Sequence, residues 1–289
     1  MNGIIVAAFG RHYEVETSEG RCVEAYPKAK RSIYACGDRV QLELAGDTQA
    51  RILEVLPRQS LLYRSDQWKQ KLIAANATQI ILVVATEPSF SDELLSRALV
   101  AAEHEHLRVL IVLNKCDLEN RLDFARTQLA PFIALGYPVL ELTAIHEATA
   151  LMPWLSGQTS VLVGQSGMGK STLINAIFPQ ARAAIREIST ALDTGKHTTT
   201  YARLYRQTNE TAIIDSPGLQ AFGLSHLSFG EIEHSFLEFR PTLGQCRFQD
   251  CRHRAEPSCA VKEAVNAGRI DPRRYQHFCA ITERAGGRL

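Results

Sequence analysis

The sequence lacks a long apolar run, a charge of one sign and any internal repeat, and each absence removes a class of function. No hydrophobic stretch approaches the ~18 residues that a membrane span needs. The longest candidate, IILVVA at 80–85, suits a buried strand. A membrane partner is therefore not expected. The formal net charge is only +1, so any surface for a polyanion has to be local, and DNA is not an expected partner. The start, MNGIIVAAFGRHYEVE, offers neither a basic leader region nor a small-residue cleavage site, so no secretory signal is expected. No low-complexity segment interrupts the chain. The seven cysteines are an odd number, and three of them fall within 246–259. That usage favours a reducing cytoplasm and a metal site over a disulfide framework. The expectation is a cytoplasmic monomer.

What is present is enough material for two or three domains: 289 residues, 45% hydrophobic. Residues 3–56 read as five short strands, IIVAAFG, HYEVET, RCVEAYP, DRVQLELAG and ARILEVLP, separated by turn residues. Five such strands predict a small barrel, most simply an OB-fold, serving as a nucleic-acid face or as a structural lid. KAKR at 28–31 is either a solvated loop or part of that face. Pro57 and the polar stretch RQSLLYRSDQWKQK mark a linker at 58–75. Strands and helices then alternate: QIILVVATEP, DELLSRALVAAEHEH, RVLIVLNKCDL, a helix near 120–134, PVLELTA, and SVLVGQ followed by a helix. YARLYRQ and ETAIIDSPG supply two more strands. This alternation predicts a mainly parallel sheet covered on both faces. From about 226 the pattern turns to short helical segments around a Cys/His cluster.

GQSGMGKS at 164–171 matches G-x-x-x-x-G-K-[ST] in full, with a strand before it and a helix after it. Gly164, Gln165, Ser166, Gly167, Met168 and Gly169, with Lys170, Ser171 and Thr172 opening the helix, are the candidate phosphate-binding set. Glycines let backbone N–H groups approach the phosphates, and the helix N-terminus adds unpaired donors. Lys170 is expected at the β- and γ-phosphates and Ser171 on Mg²⁺. The base is read by Asn114, Lys115 and Asp117 of NKCD, at a strand end where α/β sheets place ligand loops. Asp117 can accept from N1–H and N2–H₂ of guanine, a donor pair that adenine lacks. The Lys115 stem can cover the ring, and Asn114 can tie the loop together. The Ala144 backbone, in LTAIHE, can approach the guanine O6. DSPG offers Asp215 to Mg²⁺ through water and the Gly218 N–H to the γ-phosphate. TGKHTTT at 194–200 offers hydroxyls to Mg²⁺ in a loop that γ-phosphate could order.

The base tetrad thus precedes the phosphate loop, the reverse of the ordinary GTPase order. With a barrel ahead of it and a Cys/His tail behind it, the chain resembles the RsgA (YjeQ, EngC) family of circularly permuted GTPases. PRQSLLYR, GKSTLINAI, TGKHTTT and CRFQDCRHRAEPSCAV carry the resemblance over essentially the whole chain. It implies an α/β fold: an OB-fold barrel at 1–57, a circularly permuted P-loop GTPase domain at 58–225, and a small helical zinc-binding domain at 226–289. It also implies GTP hydrolysis stimulated by the small ribosomal subunit, acting in late 30S maturation and coupled to release, with 16S rRNA as a contact.

A glutamine that would orient the attacking water is absent after D-x-x-G, where Leu219 stands. The resemblance points instead to His197 as the water-positioning residue and to Thr199 as the Mg²⁺ ligand, although chemistry alone would accept the neighbouring threonines. Cys246, Cys251, His253 and Cys259, spaced C-x₄-C-x-H-x₅-C, offer the donor set of a closed Cys₃His zinc site, which the resemblance strengthens. The expectation is that zinc fixes a segment with little apolar material of its own. Beyond Phe239, ten lysines and arginines face five acidic residues, a local excess suited to RNA phosphates. Two other readings stay open. One is an RNA-binding scaffold with GTP as a structural ligand, kept alive by Leu219. The other is a P-loop kinase or ATPase, opposed by the tetrad.

Overall fold

The computed structural model describes residues 1–9, 12–28, 34–65, 70–178, 202–208, 210–216 and 222–286. Its first five strands are β1 (Asn2–Ala8), β2 (Tyr13–Thr17), β3 (Cys22–Pro27), β4 (Arg39–Leu44) and β5 (Gln49–Val55). Their alternating sequences turn one face inward, and Ile5, Tyr13, Val15, Val23, Val40, Leu42 and Ile52 form a separate core there. The order is β1-β2-β3-β5-β4, and β4 returns to pair with β1, closing the barrel. A parallel β3–β5 pair inside an otherwise antiparallel set gives the OB-like arrangement.

The stretch expected to be a plain linker carries a hairpin, β6 (Leu61–Ser65) with β7 (Gln70–Ala75). Leu62, Ile73 and Ala74 join the main core, so a few apolar residues in a polar-looking segment were enough to order it. Just upstream, Arg58 Nε and Nη2 each donate at 2.7 Å to the Asp38 carboxylate, whose side chain has no exposure. A carboxylate taken out of water needs this paired geometry. The contact holds the barrel to the chain that leaves it.

The central unit comprises β8 (Gln79–Ala85), α1 (Asp92–His104), β9 (Arg108–Asn114), α2 (Glu119–Ala134), β10 (Val139–Glu141), the short α3 (Ala144–Glu147) and α4 (Met152–Leu155), β11 (Thr159–Val163), α5 (Lys170–Ile177), β12 (Arg203–Arg206) and β13 (Ala212–Asp215). Its strand order is β10-β9-β8-β11-β13-β12. All neighbours are parallel except β12 with β13. Every position of β8 is buried, which is why its sequence shows no alternation. Although β11 comes late in the chain, it lies between β8 and β13. The C-terminal ends of β8, β9, β10, β11 and β13 therefore lie at one edge of the sheet.

β1 also pairs with β12 through Ala7 and Arg203, so barrel and central unit share one eleven-stranded sheet. Ion pairs Arg203–Glu14 and Arg206–Glu16 cross the same junction. The C-terminal part holds α6 (Phe229–His234), α7 (Ala260–Asn266) and α8 (Pro272–Gly286). A capping box between Ser228 and Glu231 starts α6. Helix α8 docks on α1 through Arg274, only 1% exposed. Its Nη1 donates to Ser96 Oγ at 2.7 Å and its Nε to Glu238 Oε1 at 2.7 Å, while its guanidinium lies over the rings of Phe236 and Phe132.

Candidate functional site

The phosphate loop connects β11 to α5, as its sequence predicts. Gly167 and Gly169 take φ of +81° and +90°, a region that glycine enters without strain. Gly169 is also required by packing, because a Cβ there would sit 2.2 Å from Asn114 Nδ2. Met168 is buried, whereas Ser166, Gly167, Ser171 and Thr172 are exposed at the mouth of the loop. Lys170 Nζ donates to the carbonyls of Gly164 and Gln165, at 2.6 and 3.0 Å. Burial lowers its pKa, an effect countered by the nearby Asp215.

Asp215 ends β13, 8% exposed. Burial pushes its pKa up to about 6, with Lys170 pulling the other way. Ser216 Oγ donates to the Leu162 carbonyl at 2.9 Å and ties this strand end to β11. A lysine and a carboxylate, both partly desolvated beside an exposed glycine loop, form a site poised for a phosphate and its divalent cation.

Asn114, 2% exposed, is the hub of the base-side loops. Its Nδ2 donates to the Met168 carbonyl at 2.9 Å. Its Oδ1 accepts the N–H of Lys115 at 2.8 Å and that of Ala144 at 2.9 Å. One amide thereby joins the tetrad, the second base loop and the phosphate loop. It also means that the Ala144 N–H, expected near a guanine O6, can serve a base only as a shared donor. Lys115 has φ of +62°, and its Nζ donates to the Glu87 carbonyl at 2.7 Å. Asp117 is exposed. Thr143 Oγ1 accepts its N–H at 3.2 Å and lies 3.3 Å from its Oδ1. The carboxylate is thus steered by a hydroxyl from the neighbouring strand end, with its outer edge free for a ligand.

Sequence reading missed several of these supports. Thr86 Oγ1 donates to the Lys115 carbonyl at 2.8 Å, and the Pro88 ring lies 3.4 Å from where a Cβ on Gly167 would stand. The Gln165 side chain accepts the Ser91 N–H at 2.8 Å and so staples the phosphate loop to the start of α1. Glu147 accepts the N–H of Thr143 at 2.8 Å. The one available signal was position: TEPS follows a buried strand whose end must lie beside those of β9 and β11. His197, Thr199, Gly218 and Leu219 lie outside the described residues, as does most of KAKR.

In the C-terminal part, Cys246, Cys251, His253 and Cys259 converge, their ligand atoms all within 4.8 Å of one another. His253 Nδ1 lies 3.6, 3.5 and 3.2 Å from the sulfurs of Cys246, Cys251 and Cys259, and the sulfurs of Cys246 and Cys259 are 3.9 Å apart. A tetrahedron with Zn–S of about 2.3 Å and Zn–N of about 2.0 Å has edges of roughly 3.5–3.8 Å. The donor set and its spacing fit zinc. The segment has little apolar material of its own, and Phe229, Phe239 and Phe278 from outside it surround the His253 ring at 6.0–6.3 Å between centroids. The apolar material comes from the flanking helices rather than from 246–259. Among the described residues, no helix is long and apolar enough to cross a membrane.

Comparison with known proteins follows the same outline. A sequence model described as RsgA GTPase matches residues 55–225. A Burkholderia pseudomallei protein named small ribosomal subunit biogenesis GTPase RsgA is 51% identical over 288 residues, covering 98% of this chain and 92% of that one. A Paraburkholderia phytofirmans protein of the same name is 50% identical, covering 99% and 93%. Among solved structures, YjeQ from Thermotoga maritima superposes with a TM-score of 0.74 at 31% identity, over 100% of this chain and 99% of that one. YloQ, described as a circularly permuted GTPase, gives 0.71 at 24% identity over 100% and 96%, a likeness of fold.

Proposed function

The chain belongs to the RsgA GTPase family and is a GTP hydrolase; from that premise we propose that it binds the small ribosomal subunit late in its maturation and couples hydrolysis to its own release. The observation that supports this reading is the Asn114 side chain, which hydrogen-bonds the loop bearing the Asn-Lys-x-Asp tetrad to the candidate phosphate loop and to Ala144. Relatives about half identical over nearly the full chain are named for small-subunit biogenesis. The locally basic tail, apart from the buried Arg274, supports contact with 16S rRNA, and that contact should weaken as salt rises.

Within this reading, Gly164, Gln165, Ser166, Gly167, Met168, Gly169, Lys170, Ser171 and Thr172 hold the phosphates, while Asn114, Lys115, Asp117 and Ala144 hold the base. Ser171, Thr199 and Asp215 hold Mg²⁺, which neutralises charge on the transferred phosphate. Gly218 contributes its N–H to the γ-phosphate. His197 positions the attacking water once the subunit orders its loop. Cys246, Cys251, His253 and Cys259 hold one structural zinc. The protein works as a cytoplasmic monomer. The segment after Asp215 runs directly into the zinc-bearing part, so a γ-phosphate-dependent shift there can be passed to the surface that meets the subunit.

The test is GTP turnover with and without purified 30S subunits. Strong stimulation is expected, together with its loss in His197→Ala while GTP binding persists. Absence of stimulation would favour a scaffold that uses GTP as a structural ligand. Lys170→Ala should lower GTP affinity by roughly 100-fold, since a charge-assisted contact of ~2–3 kcal/mol is removed.

A further inference from the structure

The His253 ring faces two ways. Its Nδ1 is turned to the three thiols at 3.2–3.6 Å. Its Nε2 is in hydrogen-bond contact with the Glu233 carboxylate of α6. The His253 side chain is 3% exposed and that of Glu233 20%, so water competes little for the contact. The ring's remaining neighbours are aromatic, Phe229, Phe239 and Phe278. None of them offers a strong acceptor. Among the described residues, Glu233 is the acceptor at Nε2.

We infer that Glu233 is a positioning residue of the metal centre, an inference that rests on the zinc reading above. By accepting Nε2–H, the carboxylate fixes the tautomer in which Nδ1 carries the free lone pair and is the ligating atom. It also raises the basicity of that nitrogen and holds the ring plane. His253 has φ of +58°, and its carbonyl accepts the Tyr275 hydroxyl at 2.5 Å, so its backbone is held independently of Glu233. What remains for Glu233 to fix is the rotation of the ring and its tautomer.

The location adds a consequence. The four ligands lie within 246–259, whereas Glu233 lies on the first helix after the segment that leaves β13. The His253–Glu233 contact therefore fastens the metal centre to the helix that follows the D-x-x-G segment. Arg252, next to His253 in the chain, places its guanidinium 4.5 Å above the Phe229 ring and supports the same junction.

The experiment measures zinc content of the full-length protein and zinc affinity by competition with a chromophoric chelator. Wild type should hold one zinc per chain. Glu233→Ala should weaken zinc affinity by about 10–100-fold. Glu233→Gln, whose amide oxygen still accepts Nε2–H, should lose less. Affinity in Glu233→Ala within about threefold of wild type would overturn the role of Glu233 and leave the zinc site standing. A wild type that binds no zinc would instead overturn the zinc reading itself, and this inference with it. If Glu233→Ala does not fold, Glu233→Gln carries the test: a several-fold loss supports the inference and unchanged affinity overturns it.

Discussion

The nucleotide pocket and the Cys₃His cluster are built by opposite strategies. The candidate nucleotide site is assembled from the ends of five strands, β8, β9, β10, β11 and β13, and its key side chains spend their hydrogen bonds on other loops. Asn114 reaches Met168 and Ala144, Gln165 reaches Ser91, and Thr143 reaches Asp117. The cluster draws all four candidate ligand atoms from one short stretch, within 4.8 Å of one another. The site is thus tied together by contacts between remote loops, whereas the cluster gathers its donors locally and is held from outside by Glu233, Tyr275 and three phenylalanine rings. Loss of its ligand should therefore leave the pocket folded, while loss of the metal should unfold its surroundings.

The largest expected effect breaks the cluster. Cys251→Ser should abolish stoichiometric zinc and destabilise the C-terminal part by on the order of 5 kcal/mol or more. The measurement is zinc content together with a denaturant midpoint for that part, with GTP affinity largely kept. If GTP affinity vanished as well, the contrast between the two regions would fail.

A smaller effect probes the pocket through pH. The folded-state pKa of Asp215, about 6, stands above its ordinary value. The protonated carboxyl therefore favours the fold. Its contribution is complete below pH ~4 and is lost as pH rises through about 6, an order-of-magnitude difference of about 3 kcal/mol. Asp215→Asn should flatten this slope in urea titrations run without nucleotide. An unchanged slope would show that Asp215 is solvated. The smallest effect is that of Gly169→Ala, which adds positive-φ strain and a Cβ on top of Asn114. A loss of about 1–3 kcal/mol is expected, with weaker GTP binding and unaltered zinc affinity.

Much of this was legible in the chain because the signals are local. The barrel strands announced themselves by alternation, β8 by its unbroken apolar run, and the phosphate loop by glycine spacing between a strand and a helix. The paired strands at 61–65 and 70–75 escaped, because their apolar runs LLY and LIAA are short, lie beside the polar stretch between them, and are buried against the central unit. A cluster of four phenylalanines in the C-terminal part escaped, because Phe229, Phe236 and Phe239 are far in sequence from Phe278.

The sequence by itself determined which motifs are present and in what order: an Asn-Lys-x-Asp tetrad ahead of a G-x-x-x-x-G-K-S loop, an aspartate after it, and a Cys₃His set at the end. Residue type and short spacing carry that information, because each motif works through neighbours a few positions away. Only the tertiary structure decided that a single amide at Asn114 would join three loops, that Ala7 and Arg203 would merge two units into one sheet, and that Glu233 would face His253. Such contacts join residues separated by long stretches of chain. Their partners are chosen by strand order and packing, which no local pattern encodes.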